Sequence, residues 1–220
     1  MSELQTILPT DAWVDCTWDE YIEAIDNPAY EKAKCYYYNE QLRIEMPPVG
    51  PDHANNNGIL VLLVNLFGIA KGIPMRLFIN CSYRKTGIRE GQPDVSYYIG
   101  ERVKLSPVGS SVVNLDNNQP PDLAIEIADT SLSEDLGEKR ILYEDLGVSE
   151  YWVVNVKKAQ ITAFKIFTNG GSQRITESLV LPSLAFSLLE EGLRRSRHLD
   201  NTEVSAWFLA TVQASQQSDS

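Results

Sequence analysis

The stretch from Leu123 to Val156 constrains the fold more than any other part of this sequence. It holds an apolar run, Leu123 to Ala128, an amphipathic segment from Leu132 to Leu146 closed by Gly147, and a second apolar run from Tyr151 to Val156. Strand, helix and strand in that order predict a parallel or mixed sheet, because parallel neighbours need a crossover rather than a tight turn.

Further runs fit around that unit. Lys34 to Tyr38 and Leu42 to Met46 flank Asn39-Glu40 as a hairpin ended by Pro47-Pro48, and Met75 to Asn80, Asp94 to Ile99 and Ile161 to Phe167 read as strands. Thr17-Trp-Asp-Glu20 is a capping box for a short helix reaching about Asp26. A largely buried helix is expected from Asp52 as cap through Ile59, Leu63 and Phe67, stopped by Gly72 and Pro74. Glu101 to Gln119 reads as a long surface loop, and a helical region with Trp207 follows Pro182. The chain thus divides into an N-terminal helical flank (1–30), one mixed α/β (α+β) domain (31–212) and a disordered polar tail (213–220).

Composition narrows the class. A chain of 220 residues with 43% hydrophobic content fills one core. The longest apolar stretch, Gly58 to Ala70, is interrupted by Asn65 and falls short of the ~20 residues that span a bilayer, so no membrane helix is expected. The N-terminus lacks a basic and apolar leader, which predicts a cytoplasmic protein. Cys16, Cys35 and Cys81 are odd in number and far apart, so they read as core thiols. Thirty acids against 19 bases give a net charge of −11, which opposes a broad basic footprint for nucleic acid. Small basic clusters exist at Arg84, Lys85 and Arg89, at Lys157-Lys158, and at Arg194, Arg195 and Arg197; the first, near Asp94, would give a local positive rim.

Two histidines, His53 and His198, cannot build a zinc site alone, and no HExxH, GxSxG, phosphate-loop or GxGxxG pattern occurs. What remains is carboxylate chemistry. Asp94 opens one apolar strand and Glu126 lies inside another, between Ile125 and Ile127. A carboxylate there either faces solvent at a strand end or is buried and needs a cation or donors. On a helical wheel, Leu132, Leu136, Leu142, Tyr143 and Leu146 share one arc with Lys139 at its centre, whereas Asp135 and Arg140 fall near its margins. A lysine on a packing face wants an anion, and Glu126 is the expected partner. Two carboxylates and a lysine are the minimum set for metal-assisted phosphodiester hydrolysis; a buried salt-bridge network is the alternative reading of the same trio.

In order along the chain, the hairpin leading to Met46-Pro47-Pro48, the helix-opening His53, Pro93-Asp94, Pro121-Asp122-Leu-Ala-Ile-Glu126, Glu138-Lys139, Tyr143, Gly147-Val148 and Glu150-Tyr151-Trp152 resemble the PD-(D/E)XK nuclease superfamily. The resemblance is closest to its Uma-type branch of restriction endonucleases and covers about Tyr36 to Leu188. It implies a restriction-endonuclease-like fold, a central mixed β-sheet flanked by helices. It also implies Asp94 and Glu126 as ligands of Mg²⁺ or Mn²⁺, with the carbonyl of Ile127 as a third. The position two after the glutamate, lysine in the superfamily motif, is Ala128 here, and the catalytic lysine of this branch would be Lys139 from the following helix. Other superfamily members carry an acid on the first core helix; Glu45, Asp52 and His53 are the candidates, with a cap and a surface histidine as the plainer reading of the last two. DNA is the implied partner and a homodimer the implied assembly. Three functions follow: a metal-dependent DNA endonuclease, a noncatalytic scaffold on the nuclease fold, and a metal-dependent hydrolase of another phosphodiester.

Overall fold

The computed structural model describes residues 8–47 and 50–218, with side chains to 215. Pro48 of the expected hairpin stop, the first seven residues of the flank and the last two of the tail lie outside them. The chain begins with β1 (Trp13–Asp15) and α1 (Trp18–Ile25), the latter opened by the Thr17–Glu20 capping box. The hairpin follows as β2 (Lys34–Tyr38) and β3 (Gln41–Glu45), with Asn39 and Glu40 both at positive φ in its turn. Next comes α2 (Pro51–Lys71), capped by Gly50 with Pro51 in its first turn, so Asp52 is an exposed first-turn residue and not the cap.

Then come β4 (Met75–Ile79), β5 (Tyr83–Lys85), β6 (Arg89–Gly91) and β7 (Val95–Ile99). The expected loop 101–119 is partly ordered: it holds a 3-10 helix, Gly100–Leu105, and the short strand β8 (Val113–Asn114). After β9 (Leu123–Ala128), the single expected helix is two, α3 (Leu132–Leu136) and α4 (Glu138–Leu146), broken at Gly137. Gly137 sits at φ −100 and ψ −111, where an added Cβ would lie 2.9 Å from the Ser133 carbonyl oxygen. The break resets the helical phase, which is why a continuous wheel misplaced Asp135. The chain ends with β10 (Glu150–Asn155), β11 (Gln160–Ile166), β12 (Ser172–Ile175), α5 (Phe186–Arg195) and α6 (Asn201–Ser218). The tail expected to be disordered from Gln213 is therefore helical through Ser218, as α6 is anchored by buried Val204, Phe208 and Val212.

Two six-stranded sheets result. The central one runs β12-β11-β10-β9-β7-β4, with β9 and β10 parallel and the other neighbours antiparallel. The second runs β1-β3-β2-β6-β5-β8. Side chains alternate across β9: Leu123, Ile125 and Ile127 join the core under α2, α5 and α6, while Ala124 and Ala128 join Tyr143, Tyr151 and Val153 on the opposite face. That opposite face is covered by α3, α4 and the second sheet, whose Tyr36 enters its core. Glu126 has the parity of Ala124 and Ala128, so the fold places it between the two sheets. Trp152 and Tyr151 are fully buried, each contributing roughly 1.5–3 kcal/mol by its burial. Of the three cysteines only Cys35 is buried; Cys16 and Cys81 are half-buried, and all are free. Among the described residues, no helix is long and apolar enough to cross a membrane.

Candidate active site

The antiparallel pairing of Val95 with Ile125 brings the start of β7 beside the end of β9. Asp94 and Glu126 consequently line one cleft of about 810 Å³ between the sheets, together with Lys139, Glu45, Lys34 and His53. The backbone N–H of Ile127 donates to Asp94 Oδ2 at 2.7 Å. Because a residue's N–H and C=O leave a strand on the same side, the Ile127 carbonyl also turns toward the β7 edge.

Each carboxylate has its own surroundings. Asp94 Oδ1 meets the Lys34 ammonium at 2.5 Å and His53 Nε2 at 3.3 Å. Burial works against its charge, but Lys34 and His53 outweigh that and hold the carboxyl well below the usual range. Glu126, 2% exposed, accepts hydrogen bonds from Tyr143 Oη at 2.8 Å and Tyr36 Oη at 3.4 Å. Its carboxyl is pushed up to about 8, by burial first; Lys139 and Lys34 oppose the rise, and Asp94 and Asp135 add to it.

Lys139 is 1% exposed and on the packing face of α4, but Glu126 is not its nearest partner. Its ammonium lies 2.8 Å from Glu45 Oε1, 3.0 Å from Asp135 Oδ1 and 4.0 Å from Glu126 Oε1, and 4.3 Å above the Tyr36 ring. Burial disfavours the charge, yet Glu126, Asp135 and Glu45 together raise the lysine's pKa. The partner assignment differs from expectation because the Gly137 break swings Asp135 inward and the second sheet delivers Glu45.

Of the weaker candidates, Glu45 and His53 are therefore in the cleft, and Asp52 is outside it. Sequence reasoning missed Lys34, Tyr36 and Arg43, and read Tyr143 as packing alone. In the hairpin, Lys34 pairs with Glu45 and Tyr36 with Arg43 across one face, while Cys35, Tyr37, Leu42 and Ile44 pack with Tyr21 on the other. Such alternation looks like an ordinary wet face until the second sheet is laid over the first. The expected positive rim is absent at Arg84, Lys85 and Arg89, which are paired with Glu90, Asp116 and Asp145.

A family model for Uma2, described as putative restriction endonuclease, matches residues 18–200. The chain belongs to the Uma2 family. A crystal structure titled as a putative nuclease belonging to DUF820 from Anabaena variabilis superposes with a TM-score of 0.52 and 21% identity, covering 87% of this chain and 98% of that one. At that identity the likeness establishes the shared fold. No curated protein matches the sequence of this Uma2 member.

Proposed function

We propose that the chain is a divalent-metal-dependent endonuclease that hydrolyses phosphodiester bonds of DNA, with the PD-(D/E)XK superfamily as its wider kin. The observation that carries this reading is the convergence of Asp94 and Glu126, from neighbouring strands, with Lys139 in one open cleft. The donor chemistry suits Mg²⁺ or Mn²⁺: carboxylates are hard oxygen ligands, and Mg²⁺ needs few from protein because it keeps several waters. The charge balance suits it too. Among the described residues, the acids Asp94, Glu126, Glu45 and Asp135 face Lys34, Lys139, Arg43 and His53, and burial raises the Glu126 and Asp135 carboxyls toward their protonated forms.

Asp94 and Glu126 would hold the ion, with the Ile127 carbonyl as third ligand. Bound there, it would activate water and neutralise charge on the phosphate. Lys139 keeps the Glu126 side of the cleft electrically compensated and donates toward charge developing beside it. Tyr143 and Tyr36 fix the Glu126 carboxyl in place. Lys34, 19% exposed at its side chain, is the more open cation and meets a substrate phosphate at the cleft mouth. A homodimer would present one such cleft to each strand of a duplex.

The test is cleavage of DNA by the full chain in Mg²⁺ or Mn²⁺, with Glu126→Gln as control. Cleavage that survives Glu126→Gln would remove the site assignment. No cleavage, with a melting temperature indifferent to millimolar Mn²⁺, would favour the noncatalytic scaffold. Metal-dependent hydrolysis of other phosphodiesters but not of DNA would favour the third reading.

A further inference from the structure

A second cavity, about 300 Å³, opens directly beside the main cleft. Lys34, His53, Asn80 and Asp94 line both, so they form a partition between them. The far wall is made by Ala54, Asn57, Gly58 and Val61 of α2 and by Ile79 at the end of β4. Three features of this chamber bear on what it could hold. Asn57 Oδ1 is buried without a hydrogen-bond partner, a cost proteins seldom tolerate away from function. Ile79 is 54% exposed. Asn80 holds a left-handed φ of 51° and is tied to the catalytic segment, its N–H donating to the Asp94 carbonyl at 3.1 Å and its carbonyl accepting from Gln92 Nε2 at 3.0 Å.

The wall chemistry selects the occupant. Aliphatic surface from Val61, Ile79 and Ala54 is a poor host for a phosphate. A purely apolar guest would leave the Asn57 amide unanswered. A flat, neutral group with hydrogen-bonding edges satisfies both, and a side-chain amide presents the donor and acceptor that recognise a base edge. The volume is at the small end for ligand pockets. We propose that this chamber receives one unstacked nucleobase of a single-stranded or locally opened nucleic acid whose adjoining phosphate lies at Asp94 and Glu126. The assignment rests on the nuclease reading of the cleft and adds to it the form of the substrate.

Gly58 provides a clean probe, since a Cβ there meets nothing within 4 Å and the residue is helical and exposed. The experiment is a fluorescence titration of the full chain, in Ca²⁺ at low salt, with a single-stranded DNA oligonucleotide carrying one 2-aminopurine. The competitors are the unlabelled oligonucleotide and its abasic counterpart. Loss of the base, which leaves the buried Asn57 amide unanswered, should weaken binding about tenfold or more, both for the abasic competitor and for Gly58→Leu. Ile79→Ala, at an exposed position, should give a smaller loss, and melting curves check that both variants fold. Equal binding of intact and abasic DNA, unchanged binding by folded Gly58→Leu and Ile79→Ala, or no binding at all overturns the proposal. Cleavage in Mn²⁺ is scored separately: cleavage indifferent to the base removes the chamber and keeps the nuclease, while base-dependent binding without cleavage does the reverse.

Discussion

Two glutamates on adjacent parallel strands, Glu126 and Glu150, are almost equally buried, at 2% and 1% exposure, and are treated in opposite ways. Glu150 accepts from the Trp152 indole N–H at 2.9 Å, the Ser178 hydroxyl at 2.9 Å and the backbone N–H groups of Leu179 at 2.5 Å and Val180 at 3.0 Å. It pins the segment after β12 to the sheet, and its lone pairs are filled by the protein. Glu126 has two tyrosine hydroxyls and a lysine at 4.0 Å that is closer to two other acids. A buried carboxylate with four donors is a fastening. One with fewer, opening on a cleft, is available to a cation or a substrate.

The comparison breaks if the two positions respond alike to mutation. The largest effect is expected on chemistry: Glu126→Gln should lower metal-dependent DNA cleavage by about a thousandfold, the scale on which one transition-state contact acts. Glu150→Ala, assayed well below its melting temperature, should cleave nearly as the parent does.

The next largest is on stability. Lys139→Ala leaves Glu45, Asp135 and Glu126 without their shared cation and should cost about 3–5 kcal/mol in urea unfolding, along with any cleavage. Glu150→Ala strands four donors and should cost about 3 kcal/mol. A Glu150→Ala protein as stable as the parent would deny it the fastening role.

The smallest effect is a pH signature at Glu126. With its carboxyl raised to about 8 from 4.5, the folded chain keeps a proton that the unfolded chain has lost between those values. More protons on the folded form means that stability falls as pH rises through that window. Glu126→Gln should flatten this component of the urea-unfolding profile. Mn²⁺ must displace the same proton, so its affinity, followed by titration calorimetry, should climb from pH 6 to about 8 and then level. A parent profile as flat as that of Glu126→Gln, or an affinity independent of pH, would mean that Glu126 is already ionised.

Much of the central sheet was legible in the chain. The strand, helix and strand order of β9 to β10 follows from two apolar runs joined by a helical segment, and α1 announced itself through Thr17 and Glu20. The second sheet was only half legible, because β5, β6 and β8 are two or three residues long and stand in no pattern of their own. The same limit hid part of the site. Asp94, Glu126 and Lys139 stand out because each breaks a local apolar pattern, whereas Lys34, Tyr36 and Glu45 obey the alternation of a surface hairpin.

Sequence by itself determined which groups are anomalous: a glutamate within an aliphatic strand, a lysine on a packing arc, an aspartate opening a buried strand. Periodicity is a local property, and residues a few positions apart suffice to reveal it. The tertiary structure alone decided who answers those groups. Lys139 is held by Glu45 and Asp135 before Glu126 because a glycine break turns one acid inward and a second sheet carries the other across more than ninety residues of chain. Electrostatic partnership depends on distance and burial in space, and neither is encoded in the spacing of residues along the chain.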